Sequence, residues 1–376
     1  MDEPMMDFLE RDRPLGDPVV PAACPSAAMD LTAIPQDLPV IPVFEIGAGG
    51  APALVEAAPV VAGRLLALAQ RTYTRPLLRL ADRLCDRWLA RNTTPYAGEL
   101  RRVAAVMDGP GALALNLSHQ WACTAAAAPD QAGTEVAGPP GVTLLRTLDW
   151  DMPRLGADMV VARMRGPAGA FLSVTWPGFA GVLTGLAPGR FAVALNQAPI
   201  SGPGLRPLRW LHDRRAVWTS TAPPPDHLLR HVLETCLDAT SALHALMEAP
   251  SCVPALLTLA GIHPAEAWVL EKDRTGTRVR QIPPVAANHW QASIPCHTRG
   301  QDSEGRWAAM AAAVEAGARD LTWLRPPILW SATRLAVEAN PARGTLLLLG
   351  MEGHRSVTQP LRLCEASALT TVSGAA

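Results

Sequence analysis

Lysine is all but missing from this chain: Lys272 stands alone, and arginine supplies the rest of the 33 basic residues, which balance 34 acidic ones to a net charge of −1. Such a balance offers no basic footprint, so no nucleic-acid partner is expected. Charge is also sparse, at 18% of residues against 49% apolar, which excludes a disordered chain. The length of 376 residues suits one large core or two modest ones. Phe and Tyr are few, at 5 and 2, while Pro reaches 36. That bias resembles GC-rich coding and weakens arguments from residue propensity.

Paired cysteines are lacking as well. The seven are Cys24, Cys85, Cys123, Cys236, Cys252, Cys296 and Cys364, with no CxxC among them. Neither a zinc ribbon nor a thioredoxin-type redox pair is indicated, and a sparse, odd set suits a reducing compartment. The chain opens with Asp2, Glu3, Asp7 and Glu10 where a secretory leader carries positive charge, so a cytoplasmic location is expected. The longest uncharged run, Pro167 to Gly189, approaches the length of a membrane span. Pro177, Gly178, Gly181, Gly185 and Pro188 interrupt it, and it reads as two short buried strands with a turn between them.

What is present falls into blocks. Residues 1–40 are Pro-rich and aperiodic and read as a loose arm. IPVFEI (41–46) reads as a strand running into GAGG. Residues 52–107 read as helical, broken in two at Pro76, with arginines on the polar face. From Ala112 the texture is sheet-like: LALNL, CTAAAA, VTLLRTLDW, MVVARM, AFLSVTW, GVLTGL and RFAVALN. A helical block at 225–248, further strands, a helix near 305–316 and two closing strands complete the chain. Helices and strands in blocks, without βαβ alternation, predict an α+β layered sandwich.

Several motifs fail. GAGG (47–50) follows a strand but has Pro52 where a dinucleotide fingerprint needs its third glycine, so it reads as a plain turn. His227 and His231 are four apart without an HExxH carboxylate, and read as surface histidines. No GxSxG elbow or Walker loop occurs. No metal and no cofactor are expected.

Cys123 is different. By itself it reads as a buried structural thiol, but RTLDWD downstream puts Arg146 and Asp149 three residues apart in a strand or its exit. An arginine beside a thiol favours the reactive thiolate, and a carboxylate can hold a protonated amine. Cysteine, arginine and aspartate on adjacent strands are what an N-terminal nucleophile requires.

The strings NLSHQWACTAAAA, RTLDW and TWPGFAGVLTGLAPGRFAVALN resemble those of the acid ceramidase and N-acylethanolamine acid amidase branch of the cholylglycine hydrolase family. VLEKDRTGTRVRQIPPVAANHW and DSEGRW resemble that family's later active-site segments, and the likeness spans roughly residues 40–355. The resemblance implies the four-layer αββα sandwich of N-terminal nucleophile hydrolases. It implies chain cleavage between Ala122 and Cys123, making residues 41–122 a docked α-subunit and 123–376 the catalytic β-subunit. Cys123 becomes the nucleophile, flanked by Arg146 and Asp149; Asn288 supports the oxyanion, and Arg306 is the second arginine, with Arg299 its competitor. Asn196, Trp176 and His289 fall on the substrate or oxyanion side. The chain departs from the family in a longer turn around DQAGTEVAGPPG, in Leu145 and Thr147 beside Arg146, and in His289 where relatives carry tyrosine.

The expected activity is hydrolysis of a linear, non-peptide amide with an apolar acyl chain, the partner being that small-molecule N-acyl amide. Residues 52–107 could add a peripheral contact with lipid. An acyltransferase on the same fold and a non-catalytic binding relative are the alternatives, and the sequence sets no oligomeric state.

Overall fold

The computed structural model describes residues 30–117, 121–130, 139–201, 215–291 and 296–365. Most of the arm expected at 1–40, and the long turn after Asp130, lie outside the described residues. In chain order β1 (Val43–Gly47) leads into α1 (Gly50–Ala57), α2 (Pro59–Thr72), α3 (Arg75–Leu89) and α4 (Ala97–Met107). A strand-rich stretch follows: β2 (Ala122–Pro129), β3 (Val142–Asp149), β4 (Val160–Gly166), β5 (Gly169–Thr175), β6 (Thr184–Ala187), β7 (Phe191–Gln197) and β8 (Ile200–Ser201). Helical residues 215–219 (α5) precede α6 (Pro225–Thr235) and α7 (Ala239–Glu248). Then come β9 (Ala255–Gly261), β10 (Ala267–Lys272), β11 (Thr277–Arg280), β12 (Val285–Ala286), β13 (Cys296–His297) and α8 (Ser303–Glu315). The chain closes with β14 (Thr333–Asn340), β15 (Thr345–Glu352), β16 (Arg355–Ser356) and β17 (Leu361–Cys364).

Two sheets carry the fold. One runs β1-β4-β5-β6-β7-β9-β10-β11; the other runs β12-β2-β3-β14-β15-β16, with β17 on β15. β1 joins the first sheet as a parallel edge strand on β4, with Val43 opposite Val161. The two sheets meet face to face in one core shared by Cys123, Ala125, Leu144 and Leu148 on one side and Val193, Leu195 and Leu257 on the other. Leu229, Val232 and Leu246 of α6 and α7 cover the outer face of the first sheet. Met310 and Ala313 of α8 cover the second, over Ala126, Ala128 and Leu145. This is the αββα layering expected from the sequence.

β2 shows why the centre reads as a run of alanines. Alternate residues face alternate sides of a strand. Cys123, Ala125 and Ala127 therefore enter the core between the sheets, while Ala126 and Ala128 enter the core under α8. With both faces covered, no solvent-facing polar residue is called for, and small side chains let both neighbours approach. A leucine at Ala125 would overpack the layer at a cost of about 1–3 kcal/mol.

Local structure differs from the sequence reading in four places. LALNL is not a strand: Ala114–Leu117 is a 3-10 helix, because Asn116 turns inward to donate to the carbonyls of Ala112 (3.0 Å) and Gly178 (2.8 Å). Pro76 does not break a helix, since it occupies the first turn of α3, where a missing N–H costs nothing; the break is at Tyr73–Thr74. The block at 225–248 is two helices, the second started by a capping box between Asp238 and Ser241. His227 is buried rather than on the surface, its Nδ1 2.8 Å from the Thr94 hydroxyl, while His231 is exposed. No metal-binding cluster occurs among the described residues.

The uncharged run at 167–189 is the β5–β6 hairpin pair, with Leu172 opposite Leu186. Among the described residues no single helix is long and apolar enough to cross a membrane. GAGG is a turn: Gly50 starts α1 at φ +67, and the first free N–H there, on Ala51, donates to Glu99 Oε1 at 2.6 Å. A protein carboxylate already occupies the place a dinucleotide phosphate would take.

Candidate active site

The antiparallel register of β2 and β3 sets Ala122 opposite Asp149, Cys123 opposite Leu148 and Ala125 opposite Arg146. Arg146 is thus the diagonal neighbour of Cys123 on the face between the sheets. Its Nη2 lies 3.0 Å from Cys123 Sγ and donates to the Leu195 carbonyl at 2.8 Å. Its Nη1 donates to the Thr184 hydroxyl at 2.8 Å and to the Leu183 carbonyl. The thiol itself lies 3.7 Å from the Leu195 carbonyl.

Asp149 is three residues beyond Arg146 and so faces the other side of β3, toward α8. Its Oδ1 accepts from the Thr333 hydroxyl at 3.0 Å. Its Oδ2 lies 3.5 Å from Arg306 Nη1 and takes no hydrogen bond among the described residues. Arg306 sits one turn into α8, fully buried. It donates to the Cys123 carbonyl (2.8 Å), the Thr124 hydroxyl (2.9 Å) and Asn288 Oδ1 (3.0 Å). Arg299, the competitor, turns away to the Ala198 carbonyl at 2.9 Å, and only its own carbonyl meets Arg306.

Asn288, just past β12, meets the nitrogen rather than the sulfur: Cys123 N–H donates to its Oδ1 at 2.9 Å. One N–H of its amide donates to the Gln197 carbonyl at 2.8 Å, and the amide carries a second N–H besides. Cys123, Arg146, Asp149, Asn288 and Arg306 are therefore one buried cluster. Asn196 is adjacent, donating to the carbonyls of Ala286 (3.1 Å) and Ala287 (3.2 Å), while its own oxygen has no hydrogen bond among the described residues. His289 and Trp176 stand further out. His289 Nδ1 is 2.8 Å from the Ser303 hydroxyl, and Trp176 Nε1 donates to the Leu155 carbonyl at 2.8 Å.

Burial decides the charge state. It pushes the Cys123 thiol up to about 11, with Arg146 opposing it and Asp149 adding to it. The arginine is where it was expected, but in the intact chain its pull on the thiol is outweighed by desolvation, and the thiol stays protonated at neutral pH. Burial likewise raises the Asp149 carboxyl above its usual range, against the pull of Arg306, and lowers the Arg306 guanidinium despite Asp149.

Two groups of the cluster were not singled out in the sequence. Gln197 accepts from Trp121 N at 3.2 Å through Oε1 and from Asn288 through its carbonyl. Ser303 accepts from Asn288 N at 2.8 Å. A run of tryptophans leads outward: Trp121 and Trp150 have ring centroids 5.6 Å apart, and Trp150 and Trp176 6.5 Å. Trp150 and Trp176 line an apolar groove with about 580 Å³ of empty space, together with Leu65, Leu66, Met107 and Met152. Gly178 (φ +97) closes one side, where any Cβ would sit 2.6 Å from Met107 Sδ.

No family model matches this chain. The chain is similar to acid ceramidases. That of Macaca fascicularis is 25% identical over 212 residues, 53% of this chain and 52% of that protein. That of Homo sapiens is 26% identical over the same extent, and that of Pan troglodytes 27% over 194 residues, 48% of each. The chain spans about half the length of the curated relatives it matches. Among solved structures, the Caenorhabditis elegans N-acylethanolamine-hydrolyzing acid amidase ortholog aligns with TM-score 0.45 and 18% identity, over 58% of this chain and 93% of that one. Penicillin V acylase from Agrobacterium tumefaciens aligns with TM-score 0.39 and 12% identity, over 61% and 83%. The resemblance to acid ceramidase read from the sequence stands.

Proposed function

We propose that the chain is an amidohydrolase of the acid ceramidase type, which cuts itself between Ala122 and Cys123 and then uses Cys123 as an N-terminal nucleophile on a linear N-acyl amide. The observation that carries this reading is that the nitrogen and the sulfur of one residue each have a buried polar partner, Asn288 Oδ1 at 2.9 Å and Arg146 Nη2 at 3.0 Å. The first contact puts a side-chain oxygen, in place of a strand carbonyl, against the nitrogen that the cut would free as an amine. The similarity to acid ceramidases supports the same reading.

Maturation begins with attack of Cys123 sulfur on the Ala122 carbonyl carbon. The carbon–sulfur bond forms, the carbon–nitrogen bond breaks and the nitrogen takes a proton; water then cleaves the thioester, leaving a carboxylate at Ala122 and a free amine at Cys123. An α-amine has a pKa of about 7.7–8, which suits it to accept the thiol proton near neutrality. The open Oδ2 of Asp149, on the residue paired with Ala122, suits the ammonium so formed. Arg146 holds the thiolate, which attacks the substrate carbonyl; the amine leaves and water releases the acyl group.

The groove suits an apolar acyl chain, because its polar atoms are already engaged. Asn116 donates to two carbonyls and accepts from Ala180 N at 2.8 Å, and Trp176 Nε1 is bound to Leu155. Contact with a lipid surface through the helical block is part of the proposal. Arg75, Arg79, Arg83 and Arg87 stand exposed one turn apart on α3, beside the exposed Leu80.

Intact mass and N-terminal sequencing of the purified protein beside Cys123→Ala test the reading. It expects a fragment beginning at Cys123 that the variant lacks, followed by release of long-chain fatty acid from an N-lauroyl amide faster than acetate from its N-acetyl counterpart. A chain that stays whole from pH 4.5 to 7.5 overturns the self-cleaving nucleophile. Acyl transfer to an added amine, in place of fatty-acid release, establishes the transferase alternative.

A further inference from the structure

We infer that Ser303 is a positioning residue that fixes Asn288 against the nitrogen of Cys123, and that His289 fixes Ser303. The inference rests on the reading of Cys123 given above and adds residues which that reading does not use.

Asn288 acts on Cys123 only through the place of its side-chain oxygen, and that place is set by its backbone. Ser303 Oγ is the acceptor for Asn288 N–H at 2.8 Å. The hydroxyl is nearly fully buried in the first turn of α8, three residues before Arg306, which donates to the same Asn288 oxygen at 3.0 Å. One helix turn therefore delivers both the group that holds the Asn288 backbone and the group that shares its side chain.

The serine is held in turn by His289, whose Nδ1 lies 2.8 Å from Ser303 Oγ and whose Nε2 lies 2.9 Å from the Gln291 amide nitrogen. With the Gln291 amide donating, Nε2 accepts and Nδ1 carries the proton, so the serine oxygen receives two donors. The imidazole packs edge-on against Trp307, with centroids 6.5 Å apart. Burial holds the His289 ring below its ordinary value, with Glu304 and Glu271 opposing this and Arg306 and Arg280 adding to it.

Loss of the serine hydroxyl leaves a buried N–H without an acceptor, and Asn288 shifts to find one. Hydrogen bonding to the charged form raises the pKa of an amine, so withdrawing Asn288 Oδ1 lowers that of the Cys123 α-amine. Arg146 and Asp149 of β3 and Arg306 of α8, the charged groups that act on Cys123, are unchanged in the variants.

The test is kinetic. Ser303→Ala is expected to lower kcat on an N-lauroyl amide about 10-fold at unchanged KM, and to move the amine limb of the pH profile down by roughly half a pH unit. Ser303→Thr restores both, and His289→Phe, which keeps the ring against Trp307, shows the same changes at a smaller size. Full kcat and an unmoved limb in Ser303→Ala overturn the inference while leaving the N-terminal nucleophile intact. If the wild-type chain stays whole and inert, the functional reading fails and a second measurement decides this inference. That measurement is iodoacetamide alkylation of Cys123 in the whole chain, read by peptide mass. Faster labelling in Ser303→Ala, reversed in Ser303→Thr, supports the serine's role; equal rates in all three chains overturn it.

Discussion

Two buried arginines, Arg146 and Arg230, solve the same problem in opposite ways. Arg230 is surrounded by opposite charge: Glu99 takes both of its Nη groups, at 2.7 and 2.8 Å, Glu234 takes Nε at 2.8 Å, and the Tyr96 ring lies 4.2 Å from its guanidinium carbon. Arg146 is more deeply buried but forms no ion pair with a carboxylate among the described residues. Two carbonyls, a hydroxyl and the Cys123 sulfur are its partners. The first arginine is neutralised as the chain folds and serves cohesion. In the proposed reaction the second would be neutralised when the sulfur beside it ionises, as expected of a group kept for chemistry.

The contrast is broken most directly by exchanging each arginine for a neutral residue. Arg146→Gln is expected to reduce self-cleavage and turnover by at least 100-fold, as loss of an aligned charge at a reacting atom does, with little change in the unfolding midpoint. Intact-mass time courses beside thermal unfolding read both quantities, and a fall of more than about 5 °C in the midpoint would place Arg146 with Arg230 as a structural cation. Glu99→Ala should do the reverse. Removing one partner of a buried pair costs about 3–5 kcal/mol, seen as an earlier urea midpoint, while the folded fraction still cuts at Cys123.

A smaller effect is expected at the carboxylate of the site. Burial raises the Asp149 carboxyl, so its ionised form opposes folding at neutral pH and the penalty is relieved as pH falls through the folded value. Asp149→Asn is therefore expected to raise the unfolding midpoint by a degree or so at pH 7, the gain shrinking toward pH 4, while cleavage is lost. A midpoint that falls at pH 7 would mean that Arg306 depends on that carboxylate. The smallest signal is the thiol. With Cys123 pushed up to about 11, its stabilising neutral form persists below the ordinary thiol range and is lost as pH rises through about 11. Alkylation of Cys123 in the whole, folded chain should stay slow through pH 9; fast labelling at pH 8 would show that Arg146 outweighs burial after all.

The cluster was legible where residue type and string carry the signal. Cys123, Arg146, Asp149, Asn288 and Arg306 stand in spaced motifs, and the layered sandwich followed from blocks of short apolar runs. Partners that act through a backbone carbonyl, such as Leu183, Leu195 and Gln197, have no residue signature, and Ser303 resembles any helix-start serine. The pull of Arg146 on the thiol is in the expected direction, but the larger effect of burial has no signature in the string. Sequence shows which charge is near but not how much water has been removed. The LALNL segment failed because alternation alone cannot see that Asn116 binds three backbone groups at once. Pro76 failed because a proline reads the same in a first turn as at a break.

The edge strand β1 has a consequence for the cut protein. It lies on the N-terminal side of the Ala122–Cys123 bond yet completes the sheet through parallel pairing with β4, and Arg64 of α2 reaches across to Asp158 at 2.6 Å. While the chain is whole, a peptide tether keeps that strand at a high effective concentration beside its slot. The proposed hydrolysis of one bond would turn an intramolecular contact into a bimolecular equilibrium, giving the cut species a dissociation constant where its precursor had only a folding constant. Its resistance to denaturant then depends on dilution, and a free peptide corresponding to the first segment becomes a ligand for the second.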